Sequence, residues 1–259
     1  MKKAMYQIFE IAHLTFSDAI RNRISYGVFV FLIIIITTSI ALASVTMGRT
    51  ELMILDLGLG AISILGNLMA IVITIQTLQQ EKENRTLYVL ITRLDGRWKY
   101  LLGKFCGLAA VLGLQIIAMC ALLALSILPF GDIYWLSFIQ ASIATVIEIW
   151  LVIAIAMLFA QSSSLFLAIL FTVSVDITGR FTSVIQQFGE QASSTALRGL
   201  TETMFYILPN LEAVNLRNGA GYIESFPAAQ FANVIMYGAS EIAFLLFIGM
   251  IIFERRNLS

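Results

Sequence analysis

Glu148 and Glu241 are carboxylates set inside long apolar runs, and they have the strongest claim to chemistry in this chain. A charged carboxylate at mid-membrane depth costs about 2.5–3.5 kcal/mol on insertion scales, so each must face protein or water. Two roles fit such a group. It can lie on a transport path or form a gating contact. It can equally be a protonated carboxyl, or pair with an Asn, Ser or Thr of another helix. The depth argument is stronger for Glu148, because Glu241 lies only about ten residues into its run. Asn67 stands near the middle of a further apolar run, where its amide can hydrogen-bond a neighbouring helix. Asp176 and Arg180 close another such run.

Other chemistries find little support. One histidine excludes a multi-histidine metal site within the chain. Cys106 and Cys120 are 14 positions apart, about 21 Å along one helix at ~1.5 Å per residue, so they cannot pair there and read as small packing residues. The stretch Gly96 to Phe105 has a superficial likeness to a phosphate loop. It has six residues between Gly96 and Gly103 instead of four, and Phe105 stands where a Ser or Thr would hold magnesium. Neither H-E-x-x-H nor G-x-S-x-G occurs. Any use of ATP is therefore expected in another chain, and no catalytic or metal-ligating residue is assigned to this one.

The elements that must position these residues are membrane helices. Of 259 residues, 59% are hydrophobic and 12% charged, and the mean hydropathy is +0.89, a composition of integral membrane proteins. Net charge is zero, so no global field steers a nucleic acid. Six spans are expected, at about 24–45, 57–78, 99–128, 135–160, 165–177 and 231–253. Each but the fifth is long enough for the ~30 Å hydrocarbon layer. Residues 2–22 lack the uninterrupted apolar core of a signal peptide. Met5, Ile8, Phe9, Ala12, Phe16, Ala19 and Ile20 instead form a stripe at helical spacing, which predicts an amphipathic helix in the interface plane. Residues 182–230 repeat apolar positions at the same spacing without a run long enough to span, so they are expected outside the membrane or in a shallow re-entrant position. Gly103-x-x-x-Gly107 is a close-packing pattern. No internal repeat or soluble linker appears, so residues 1–259 form one domain.

One polar stretch divides the apolar runs, from Gln80 to Lys104. Leu87, Leu90, Ile91 and Leu94 fall on one helix face. Glu81 precedes Arg85 by four residues, an order that supports a helix. Asp95-Gly96 supplies a turn, and Trp98 and Tyr100 mark re-entry into the membrane. Arg97, Lys99 and Lys104 could snorkel to lipid headgroups. Grouping this stretch with both termini puts twelve of the 16 basic residues on one side and leaves Arg49, Arg180, Arg198 and Arg217 on the other. The positive-inside rule then makes the first side cytoplasmic.

This stretch resembles the coupling region of ABC-2 type permeases, the membrane subunits of one class of ABC transporters. The likeness rests on Glu81 and Glu83, Thr86-Leu87, Val89 to Ile91, Asp95-Gly96-Arg97, Tyr100 and Leu102-Gly103-Lys104. It departs where Asn84-Arg85 stands in place of a frequent Gly. Residues 18–23, the connecting helix before the first span, the segment from Ile207 to Arg217 and the basic C-terminal end are also similar. The resemblance implies an all-α membrane fold with an N-terminal connecting helix over 2–22 and a coupling segment over 80–98. It implies an ATPase-coupling surface of Glu81, Glu83, Arg85, Thr86, Leu87, Leu90, Arg93, Asp95, Gly96 and Arg97. Asn67, Glu148 and Glu241 then become pathway or gating candidates. Cytoplasmic ABC ATPases carrying ATP and magnesium, a second permease subunit in a homo- or heterodimer, and membrane lipids are the implied partners. The connection over 182–230 is a candidate contact for a periplasmic partner. The implied setting is the bacterial inner membrane, with export as the commoner direction. Two other classes stay open on the residues alone: a proton- or ion-coupled secondary carrier using Glu148 and Glu241, and a non-transporting membrane scaffold.

Overall fold

The computed structural model describes residues 2–22, 24–45, 49–84, 96–191, 198–199, 201, 203 and 208–255. Among the described residues eight α-helices run in chain order: α1 Lys2–Asn22, α2 Ile24–Val45, α3 Thr50–Glu83, α4 Arg97–Ile127, α5 Trp135–Ser162, α6 Leu165–Arg180, α7 Thr182–Gln191 and α8 Ala228–Arg255. Two short 3-10 turns, Leu211–Val214 and Arg217–Gly219, lie between α7 and α8. An isolated antiparallel bridge joins Tyr134 to Gly221.

Among the described residues four helices are long and apolar enough to cross a membrane: Thr50–Glu83, Trp98–Ile127, Trp135–Ser162 and Ala228–Glu254. The expected first span coincides with α2, which is apolar over Val28–Ala41. The expected fifth span is α6. At 16 residues it is about 24 Å long, short of the ~30 Å layer. The helix α3 is longer than the 57–78 span read from the sequence. It begins seven residues earlier, and it continues through Glu83, so Gln80 to Glu83 are its last turn rather than part of a separate helix.

The helix α5 is central, packing on α3, α4, α6 and α8. Its second half is almost wholly apolar and is buried on nearly every side from Ile147 to Met157, as such a helix requires, while Leu136, Ile139 and Ile143 in its first half are exposed. Its hydroxyls are absorbed locally: Ser142 Oγ donates to the Phe138 carbonyl and Thr145 Oγ1 to that of Ala141, at 2.8 and 2.9 Å. Thr37, Thr38, Thr172, Ser174 and Thr178 do the same on α2 and α6. A polar group in an apolar layer needs such a partner. Trp150 Nε1 donates to the Ala109 carbonyl at 2.9 Å and pins α5 to α4.

Gly103 and Gly107 close-pack α4 against α1 rather than against another span. A Cβ on Gly107 would lie 2.7 Å from the Ala12 carbonyl oxygen, and one on Gly103 would lie 2.7 Å from Ile11 Cβ. The contacts advance together, with Lys99 Nζ donating to Gln7 Oε1 at 3.0 Å, so α1 runs parallel to the first turns of α4. The line buried on α4 is not the apolar stripe read from the sequence: Ile11 and Thr15, which lie outside that stripe, are buried, while Met5 and Phe9 within it are exposed. Cys120 is buried, Cys106 is exposed, and both are free.

Gly96 adopts φ +126°, ψ 129° at the start of α4, a left-handed conformation open to glycine. Residues 85–95, which hold Arg85, Thr86, Leu87, Leu90, Arg93 and Asp95, lie outside the described residues.

Candidate functional site

Glu148, halfway along α5, is 1% exposed and sits in a polar cluster built from four parts of the chain. Its Oε1 accepts from Arg180 at 2.6 Å, from Asn67 Nδ2 at 3.1 Å and from Ser63 Oγ at 3.2 Å. Arg217 lies 3.5 Å from Oε2. Asp176, one turn before Arg180, pairs with Arg180 Nε at 3.4 Å. Ser63 and Asn67 are four apart on one face of α3, and Asp176 and Arg180 are four apart on α6, the spacing that brings two side chains to one side. Two carboxylates and two guanidiniums are brought together, so the cluster is formally neutral.

The chemistry of this arrangement follows from burial. A carboxylate buried at this depth needs polar partners, and two guanidiniums and two neutral donors surround this one. The pair Glu148–Arg180 is charge-assisted, and the remaining donors orient the carboxylate. The group therefore locks α3, α5, α6 and the segment before α8 at one point. Glu148 lies 13 residues after Trp135, about 20 Å along α5.

Arg217 reaches that depth on a segment that is itself clamped. Asn210 Oδ1 caps the turn at Leu211 by accepting from the Ala213 amide at 3.1 Å, and Thr182 Oγ1 bonds the same oxygen at 2.9 Å. The Asn210 amide donates to Tyr237 Oη on α8 at 2.8 Å. Asn215 Oδ1 accepts from the backbone amide and Nε of Arg217, both at 3.0 Å, which sets the guanidinium's direction. Near the start of α5, the Gly221 amide donates to Ser137 Oγ at 3.0 Å. Tyr222 Oη donates to Asp56 at 2.6 Å. Gln140 holds Phe226 through both backbone groups, accepting from its amide at 2.8 Å and donating to its carbonyl at 3.3 Å. Gln140→Leu leaves two backbone groups without that partner, and is expected to cost about 1–3 kcal/mol. The check is thermal unfolding in detergent, where a melting point equal to that of the unsubstituted chain contradicts it.

The sequence candidates are distributed unevenly around this site. Asn67 and Glu148 meet directly. Glu241, half-buried on α8, shares none of the cluster's contacts among the described residues. Arg180, which closes an apolar run together with Asp176, joins Asn67 and Glu148 at the cluster, and so do Ser63 and Arg217, to which the sequence assigns no partner. Glu81, expected at the coupling surface, turns towards α4, where it accepts from Tyr100 Oη and pairs with Lys104 Nζ. Tyr100 stacks on Phe253 of α8 at 5.8 Å between ring centroids. Lys99 and Lys104, which could snorkel to headgroups, are buried and bonded inside instead. Glu83 is exposed at the end of α3. Among the described residues no group of His, Cys, Asp and Glu could hold a metal ion.

Helices of this length and hydropathy, gathered around a neutral buried ion-pair cluster, define an integral membrane protein. Residues 9–258 match the family described as "ABC-2 family transporter protein". The chain belongs to that family. It is similar to the probable ABC transporter permease protein NosY of Stutzerimonas stutzeri, with 30% identity over 162 residues, covering 59% of this chain and 58% of that protein. The match thus spans little more than half of the relative's length.

Proposed function

We propose that this chain is the membrane-spanning subunit of an ATP-driven exporter, in which two such subunits form the pathway and separate cytoplasmic ATPases supply the energy. The family match over residues 9–258 carries this reading. ATP and magnesium belong to the ATPase, and the chain described here moves rather than catalyses. It crosses a bacterial inner membrane six times, with α2 as the first crossing and α6, continued by the chain that follows it, as the fifth, and both termini face the cytoplasm. The distribution of basic residues supports that orientation. The segment 208–227 enters from the outer side and turns back, and its outer surface is where a periplasmic partner would dock.

In this reading the coupling segment between α3 and α4 sits in a groove of the ATPase. Its two borders are tied together by the Glu81 contacts with Tyr100 and Lys104, so they move as one piece. The Glu148 cluster acts as a gating contact. It joins the segment 208–227 to α3, α5 and α6, and relative movement of these parts must break or exchange the Arg180 and Arg217 pairs.

Replacing Glu83, Arg85 and Arg93 together is expected to weaken ATPase association while leaving the spans folded. The check is the amount of ATPase retained by the tagged chain at matched yield and matched melting temperature. Retention equal to that of the unsubstituted chain would show that the docking surface lies elsewhere.

A further inference from the structure

Neighbouring residues at the end of α3 reach two different helices. Glu81 bonds Tyr100 and Lys104 on α4. Lys82, the next residue, donates to the carbonyl of Ala160 and, at 3.3 Å, to that of Gln161, at the C-terminal end of α5. Gln79, buried one turn earlier, reinforces this contact: its Nε2 donates to the Ala160 carbonyl at 3.2 Å and to the Ser163 carbonyl at 2.8 Å. The last carbonyls of a helix lack intrahelical partners and carry the negative end of its dipole. An ammonium and an amide placed on them form charge-assisted bonds that tie α3 to the turn between α5 and α6.

The placement matters because of what lies at each end. Lys82 is three residues from position 85, inside the coupling segment. Lys82 holds the last turn of α5, and Gln79 reaches Ser163 in the Ser163-Ser164 turn that joins α5 to α6, the helices that carry Glu148 and Arg180. From Ser162 to Glu148 is 14 residues of uninterrupted helix, a rod of about 21 Å. A lysine at the membrane edge ordinarily snorkels to water, but this one donates inward to another helix.

We propose that Lys82 and Gln79 are positioning residues that transmit movement of the coupling segment to the α5–α6 hairpin, and so to the Glu148 cluster. Glu81 transmits the same movement separately to α4. This inference rests on the transporter reading, and its test separates the two.

The experiment uses the full chain in complex with its co-purified ATPase, reconstituted in lipid. Spin labels are attached one at a time, at Cys106 of α4 and, with Cys106→Ser, at S162C beside the α5–α6 turn. Electron paramagnetic resonance then reads the change on adding a non-hydrolysable ATP analogue. In the otherwise unsubstituted complex both labels are expected to respond. With Q79L and K82M combined, the response at S162C is expected to be lost and that at Cys106 kept, at an unchanged ratio of ATPase to chain. Glu81→Gln is expected to do the reverse. Lys82→Arg retains the charge and is expected to retain both responses. This variant and the single K82Q guard against a misfolded double variant, since K82Q must also diminish the S162C response. Full responses at both labels in the Q79L/K82M and K82Q chains would overturn the inference while leaving the transporter reading intact. A complex in which neither label responds before any of these substitutions contradicts the transporter reading, and the inference falls with it.

Discussion

Glu148→Leu is expected to destabilise the folded chain by about 3–5 kcal/mol, the cost of removing one partner from a buried ion pair. The carboxylate is the common acceptor for Arg180, Asn67 and Ser63, with Arg217 at 3.5 Å. Taking it away leaves two guanidiniums facing a single remaining carboxylate, Asp176, deep in an apolar bundle. A Gln at the same position keeps the shape and one acceptor oxygen but removes the charge, so Glu148→Gln should fall between. Glu148→Leu combined with Arg180→Leu should recover part of the loss, because contacting residues do not act additively. Glu241→Gln is the contrast, since Glu241 shares none of the cluster's contacts, and its melting temperature should stay that of the unsubstituted chain. Thermal unfolding of the four purified variants measures the order. A Glu148→Leu chain that melts with the unsubstituted one would mean that the cluster does not hold the helices together.

Gly107→Val should displace the N-terminal helix from α4. The first atom added already lies 2.7 Å from a backbone oxygen, Ala12 O, and 2.7 Å from Thr15 Cβ. Backbone cannot swing away as a flexible side chain can, so α1 must shift. Overpacking of this kind costs about 1–3 kcal/mol, and the cost should fall on α1 rather than on the whole bundle. Hydrogen exchange is the suitable readout: amides of residues 7–15 should exchange faster, while those of α5 keep their protection. Gly60→Ala is the control, because nothing lies within 4 Å of its added Cβ, and a helical Ala is favoured over Gly by about 1 kcal/mol. Unchanged exchange over residues 7–15 in Gly107→Val would contradict the close approach.

The helices were legible because their signal is local. Ile24, Trp135 and Leu165 open α2, α5 and α6 where the apolar runs begin, and α4 ends two residues before Pro129. The start of α4 was legible from glycine chemistry, since Gly96, directly before the helix, has a positive φ. The outer limits of α3 were not, since Thr50 to Asp56 and Gln80 to Glu83 are polar enough to read as links, although a helix carries such residues at either end of its buried length. The division of α1 into a packed face and an exposed face was also hidden, because Ile11 and Phe9 are equally apolar in the sequence and only the partner helix distinguishes them.

The candidate site was half legible. Asn67 and Glu148 stood out because each is costly where it lies. Their basic partners did not, since Arg217 is 69 residues from Glu148 and comes from a segment without a continuous apolar run. One signal pointed that way: Asp176 and Arg180, at helical i, i+4 spacing, end an apolar helix too short to cross alone. A charge pair there suits a helix that stops at a buried polar cluster. Gln79 and Lys82 gave no signal at all, because the contact they make is with backbone carbonyls, which sequence does not distinguish.

The central claim is that this chain works with a separate ATP-hydrolysing protein. The most direct measurement is purification of the tagged chain from its native membrane in mild detergent, with mass spectrometry of what co-elutes. The account predicts an ATP-binding protein in stoichiometric amount, and the same experiment reads whether a second, different membrane subunit is present. Its reproducible absence in several detergents, from a chain that is folded and monodisperse, would contradict the account, and proton-coupled flux that depends on Glu148 would then be the behaviour to measure.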